Sequence, residues 1–224
     1  LMTLLPSLQV APSFVNGFGH DASVVDVGLE QHLAFKIDRA PFPVALTRNI
    51  GDYRTWGRLA VAANVSDLLA VGATPRAMML SLVVPGSFEA VDARAIVEGC
   101  EEACVQHDIA FVGGDTNEGH TPQVIGAAWG TLEKVAAFGR APAEAGDYLF
   151  IAGQLGAFTG VLARLDGDAR DSEPAQDWVN VLIAPAARVR EGRFMRESRS
   201  IVSACDLSDG LAEALHIFCS GGAG

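Results

Sequence analysis

Between residues 57 and 75 the chain reads GRLAVAANVSDLLAVGATP, an apolar stretch interrupted in its interior only by Asn64, Ser66 and Asp67. The pattern predicts a buried helix. Asn64 and Asp67, three apart, share one face of it, while Leu59, Ala63, Ser66 and Ala70 lie on another. Gly72 suits a left-handed helix end, and Pro75 cannot continue the helix. A buried carboxylate without a partner costs several kcal/mol or takes up a proton, so Asp67 requires a cation, a hydrogen-bond network or a metal nearby. The backbone, or an arginine such as Arg58, meets the same need in a purely structural way.

Around this helix the hydrophobic pattern predicts strands at 23–27 and 32–37, with Asp38 ending the second and Pro41 and Pro43 breaking regular structure after it. Residues 78–84 read as a buried strand and 88–107 as an amphipathic helix. Residues 109–112 read as a strand running straight into Gly113-Gly114-Asp115-Thr116, and 124–131 as another. Strands and helices are mixed rather than strictly alternating, which predicts an α+β fold with an antiparallel or mixed sheet. The stretch 134–147, rich in Ala, Gly and Pro, marks a junction between a domain over 1–136 and a second over 137–224. In the second, a strand at 148–152 precedes a helix opened by Gly153, Gly156 and Gly160. A charged loop at 166–177 and helices to about 199 follow, then a strand at 201–205, a DLSDG turn and a helix at 211–219. One strand and one helix at the end are short of the layers that close a core, so this domain is expected to be incomplete.

Composition narrows the function. Half of the 224 residues are hydrophobic, enough for a substantial core, and the net charge of −11 argues against nucleic acid as a partner. It allows a nucleotide if divalent cations stand between carboxylates and phosphates. The longest apolar run falls short of the roughly 20 residues that a membrane span needs. The N-terminus lacks the basic region of a secretory signal, so Cys100, Cys104, Cys205 and Cys219 are expected to be reduced thiols of a cytoplasmic protein.

Aspartates recur at strand ends and turns: Asp21, Asp38, Asp67, Asp115, Asp206 and Asp209. Each has an ordinary explanation as turn chemistry, and Ser208 or Asp209 would serve as the N-cap of the last helix. Together they form the kind of carboxylate set that Mg²⁺ neutralises while it binds phosphate oxygens, the equipment of phosphoryl transfer. There is no G-x-x-x-x-G-K-[ST] loop, and the DLSDG segment fails the spacing of an EF-hand. Cys100, Cys104 and His107 share a helix face as metal ligands or as core. Gly153 and Gly156 fit either a phosphate cradle or a tight turn.

Five motifs in order carry a resemblance over about 190 residues: GHDASVV, NVSDLLAVGATP, GGDT, GRAPAEAGDYLFIAG and CDLSDGL. The chain resembles thiamine-monophosphate kinase, within the PurM-like superfamily that includes aminoimidazole ribonucleotide synthetase. The resemblance implies a PurM-like two-domain fold whose N-terminal domain pairs with a second copy in a homodimeric barrel, with ATP near the domain interface. It implies Asp21, Asp38, Asp67, Asp115 and Asp206 as Mg²⁺ ligands and Asp209 at the catalytic centre. Gly114, Asp115, Arg140 and Ser208 would contact ATP. The departures are His20 where the family has its first Asp, and Lys36 and Ile37 where it has two hydroxyl residues. Lys36 either replaces a cation electrostatically or is a solvated strand residue. No histidine follows Asp38 in RAPFPVALTRN, where the family has its substrate histidine. The expectation is therefore an ATP- and Mg²⁺-dependent phosphotransferase on a small molecule other than thiamine phosphate. The alternatives are an ATP-dependent ligase or dehydratase working through a phosphorylated amide or carboxylate, and a nucleotide-binding subunit without catalysis.

Overall fold

The strict alternation of burial along residues 123–133, with Val124, Gly126, Ala128, Gly130 and Leu132 inward, is the signature of a strand with one covered face. This is the middle of a five-stranded sheet in a computed structural model that describes residues 8–134, 138–141, 143–166, 176–198 and 200–220. The strands are β1 (Ser23–Val25), β2 (Gln31–Ala40), β3 (Thr74–Val84), β4 (Ala110–Glu118) and β5 (Gln123–Glu133), in spatial order β1-β2-β5-β3-β4. All pairs are antiparallel except β3 with β4, whose parallel pairing spans the helix between them. After the short α1 (Val44–Thr47), α2 (Arg54–Ala70) and α3 (Ala90–Gln106) cover one face of the sheet.

The apolar run is helical as predicted, but α2 starts three residues earlier, at Arg54. Asn64 and Asp67 are buried on one side while Leu59, Ala63 and Ser66 are only half-buried, as the two faces read from the sequence require, but Ala70, placed on the second face, is buried too. The helix is wedged between β2 and β5 on one side and α3 on the other, which is why so little of it meets solvent. Two glycines allow the α2–α3 contact: a Cβ on Gly57 would strike the carbonyl of Ile96, and one on Gly99 the carbonyl of Arg54. Gly72, at φ 82°, takes the left-handed position expected of it. Pro75 does not lie beyond the helix in a loop. It sits inside β3, at a register shift between Pro75 and Ala77 where a missing N–H is tolerated. β4 likewise continues past 112 through the GGDT residues, across an irregularity opposite Met78 and Leu80.

The C-terminal part is helical: α4 (Ala157–Asp166), α5 (Gln176–Ile183), α6 (Val189–Ser198) and α7 (Leu211–Cys219). The strands expected at 148–152 and 201–205 do not form ladders among the described residues, and Tyr148 is 87% exposed. A strand needs a hydrogen-bonding neighbour as well as apolar composition. Residues 203 and 204 instead bind a segment near the junction: Ala204 N–H donates to Gly139 O at 3.0 Å, and Ala141 N–H donates to Ser203 Oγ at 3.1 Å. Cys100 and Cys104 lie in the main core. His107 is engaged at both ring nitrogens, with Nδ1 2.7 Å from Ala103 O and Nε2 accepting from Ala187 N–H at 2.9 Å, so these three side chains are structural. Among the described residues no helix is long and apolar enough to cross a membrane.

Candidate functional site

Alternation along β2 turns Ala34, Lys36, Asp38 and Ala40 toward α2 and leaves Phe35, Ile37 and Arg39 on the opposite, exposed face. Lys36 is therefore no solvated strand residue. Its Nζ lies 2.8 Å from Asp67 Oδ2, with the two side chains only 24% and 6% exposed. Arg58, the structural partner weighed for Asp67, pairs with Glu102 at 2.6 Å. A second ion pair brings the distant junction to the same place. Arg140 donates from Nε and Nη2 to Asp21 Oδ1, at 3.0 and 2.6 Å, and its Nη2 is 3.6 Å from Asp206 Oδ1.

Asp21, Asp67 and Asp206 each present an oxygen within 4.8 Å of the others. Burial pushes the Asp67 carboxyl up to about 7 against the opposing pull of Lys36, and the charges of Asp206 and Asp21 push the same way. Asp21 is also raised by burial, partly offset by Arg140. Burial would lower the Lys36 ammonium, but its hydrogen bond and charge contact with Asp67, with Asp38 and Asp21 behind, hold it above its ordinary value. A divalent cation fits this set. The donors are all hard carboxylate oxygens, and Asp21 Oδ2 is buried with no hydrogen-bond partner.

The remaining expected residues stand apart from the cluster. Asp38 is half-buried two residues along β2 from Lys36. Gly114 lies in the same cross-sheet row as Asp38, through Gly126 and Leu80. Three strand spacings separate the two, about 14 Å. A side chain on Gly114 would strike the carbonyl of Leu80, so glycine is required there. Asp115 is exposed on the edge strand and accepts from Asn117 Nδ2 at 2.5 Å. Ser208 and Asp209 are exposed in the turn before α7, whose N-cap is Gly210 with no side-chain cap bond, so neither is the cap. Gly153 and Gly156 take left-handed φ values before α4, and Gly153 packs on the Arg188 guanidinium. An open cleft of 480 Å³ borders the cluster at Asp21 and Lys36 and is walled by Phe35, Ile37, Met79 and Trp129.

Two further side chains support the site, Ser203, which no motif marks, and His20, the departure in the first motif. Ser203 Oγ lies 2.7 Å from Ala141 O and 3.1 Å from Gly139 O, holding the junction so that Arg140 reaches both carboxylates. His20 packs against Gly139, where a Cβ would come within 2.5 Å of its Nδ1. The place of Lys36 was recoverable in principle, since Ala34, Lys36, Asp38 and Ala40 share a period of two.

A mixed sheet backed by α2 and α3, with carboxylates from the segment before β1, from α2 and from the turn before α7 meeting at one point, is a PurM-like α+β fold. Residues 19–132 match the family model described as AIR synthase related protein, N-terminal domain, and the chain belongs to that family. It is 31% identical over 212 residues to a thiamine-monophosphate kinase of Halobacterium salinarum, covering 94% of this chain and 67% of that protein. It is 34% identical over 160 residues to one of Pyrococcus abyssi, covering 71% of this chain but 49% of that protein, about half its length. Among solved structures it resembles AaThiL complexed with AMPPCP and TMP, with TM-score 0.78 and 25% identity, covering 91% of this chain and 64% of that one.

Proposed function

We propose that this chain carries the metal and nucleotide site of an ATP- and Mg²⁺-dependent phosphotransferase of the thiamine-monophosphate kinase type. The observation that carries the reading is the buried Asp21 Oδ2, without a hydrogen-bond partner, beside Asp67 and Asp206, a set of oxygens that a divalent cation would satisfy. Magnesium, when bound, would bridge phosphate oxygens and offset the charge that develops on them during transfer. Asp21, Asp67 and Asp206 would hold it, with Asp38 and Asp115 serving further metal or phosphate contacts from β2 and β4. Arg140 would turn from the carboxylates to the nucleotide, Gly114, Asp115 and Ser208 would line the nucleotide, and Asp209 would face the acceptor. The exposed sheet face with Phe35, Ile37 and Met79 would meet a second copy of the chain.

The lack of a histidine after Asp38 argues for another acceptor. The relatives named above lend that no support, so thiamine monophosphate is the first acceptor to try. Incubation of the protein with ATP, Mg²⁺ and thiamine monophosphate, followed by mass spectrometry, should yield ADP and a doubly phosphorylated thiamine. ADP with free phosphate and a condensed product would instead indicate ligase chemistry. ATP left intact with every acceptor tried would remove the phosphotransferase reading.

A further inference from the structure

Two of the partners of the acidic cluster are side chains of the protein itself, Lys36 and Arg140. The Lys36 ammonium reaches Asp67 Oδ2 at 2.8 Å from the inward face of β2, and Asp38 and Asp21 act on it electrostatically as well. Three carboxyl groups, Asp21, Asp67 and Asp206, face two fixed cations, Lys36 and Arg140, so with all three ionised one negative charge is left for anything else to neutralise. The two cations are not spread evenly. Arg140 places both of its short bonds on Asp21 Oδ1, and Lys36 engages Asp67 Oδ2, so the buried atom without a partner is Asp21 Oδ2. That puts the unmet charge and the free oxygen on the Asp21 side, while Asp67 already has the Lys36 ammonium.

An ammonium is a compact point charge that donates three hydrogen bonds, and a lysine on a β-strand holds it there without the concentration dependence of a free ion. From this geometry we infer that Lys36 is a built-in cation standing in for one divalent ion at the cluster, so that this chain takes up one ion fewer there than it would without the lysine. The inference rests on the cluster being a metal site, and it concerns Lys36 alone. It deepens the proposed function by giving the site a tethered positive charge at Asp67.

The test is the number of Mn²⁺ ions bound to the nucleotide-free full chain, read from the signal of free Mn²⁺ in electron paramagnetic resonance during titration. Wild type, Lys36→Met and Lys36→Arg are compared, with melting curves to establish that each is folded. Lys36→Met keeps the length of the stem and removes the charge, so it should bind one more Mn²⁺ per chain than wild type. Lys36→Arg restores the charge and should return to the wild-type number. If Lys36→Met does not fold, Lys36→Gln carries the same comparison. Equal numbers, one or more, in wild type and the neutral variant would overturn the role of Lys36 while leaving the metal site standing. An absence of Mn²⁺ binding in all variants would overturn both.

Discussion

Asp67 shows how one residue's burial sets a demand that a neighbour meets. Its carboxyl, pushed to about 7 from the ordinary 3.8 chiefly by burial, keeps its proton in the folded state where the unfolded chain has released it. Between about pH 4 and 7 the folded state therefore binds more protons than the unfolded one, and stability falls as pH rises. The stabilising contribution of the protonated group is complete below the unfolded value and is lost as pH rises through the folded value. Asp67→Asn cannot titrate, and Lys36 stays charged over this whole range. In metal-free buffer, wild-type stability relative to Asp67→Asn should therefore decline from pH 4 to pH 8, by up to about 4 kcal/mol. Urea midpoints at several pH values measure this, and a flat or rising difference would refute it. The same variant at neutral pH should keep its fold and lose ATP-dependent turnover. The need of Asp67 for a positive partner was legible from its apolar surroundings in the sequence. The identity of the partner was not, because Lys36 is 31 positions away and its direction depends on where β2 lies over α2.

At the scale of elements, the α2–α3 contact is made by the absence of side chains. Gly57 sits against the backbone of Ile96 and Cys100, and Gly99 against that of Arg54, while Arg54 and Arg58 reach over to Glu98 and Glu102 at the rim. A methyl group at Gly57 has no flexible side chain to displace, only backbone. Gly57→Ala should cost about 2–3 kcal/mol or more, seen as a fall in melting temperature, whereas the same change at Gly160, where a Cβ meets nothing, should cost little. The helices and most of the strands were legible because their periodicity is long and consistent, whereas the GGDT segment, read as following a strand, lies inside β4. The stretches 148–152 and 201–205 were misread as strands because a short apolar run looks the same whether or not a neighbouring strand exists to pair with it. The role of Gly57 was equally hidden, since the first residue of an apolar run says nothing about what lies across from it.

For the whole molecule, the order of motifs revealed the fold class, because each motif is tied to one place in the sheet or beside it. The sheet face away from α2 and α3 carries Phe35, Ile37, Met79 and Val112, all exposed, with Ile37 at 69%. Wild type should scatter light as twice its 23.5 kDa mass, and Ile37→Glu should shift it toward a single chain; a wild type that already runs as one chain would sink the pairing. The strand order has a consequence for how the chain is born. β5 is the last of these five strands to be synthesised, yet it lies at the centre, between β2 and β3, which are not paired with each other. Until it emerges, the nascent polypeptide holds two fragments with no shared edge, the β1–β2 hairpin and the β3–α3–β4 unit, and α2 has β2 and α3 to pack on but not the central strand. Closing Ala40 onto Val124 then joins segments far apart in the chain, the slow kind of pairing. The sheet is therefore complete only once β5 has emerged and inserted between the two units already made.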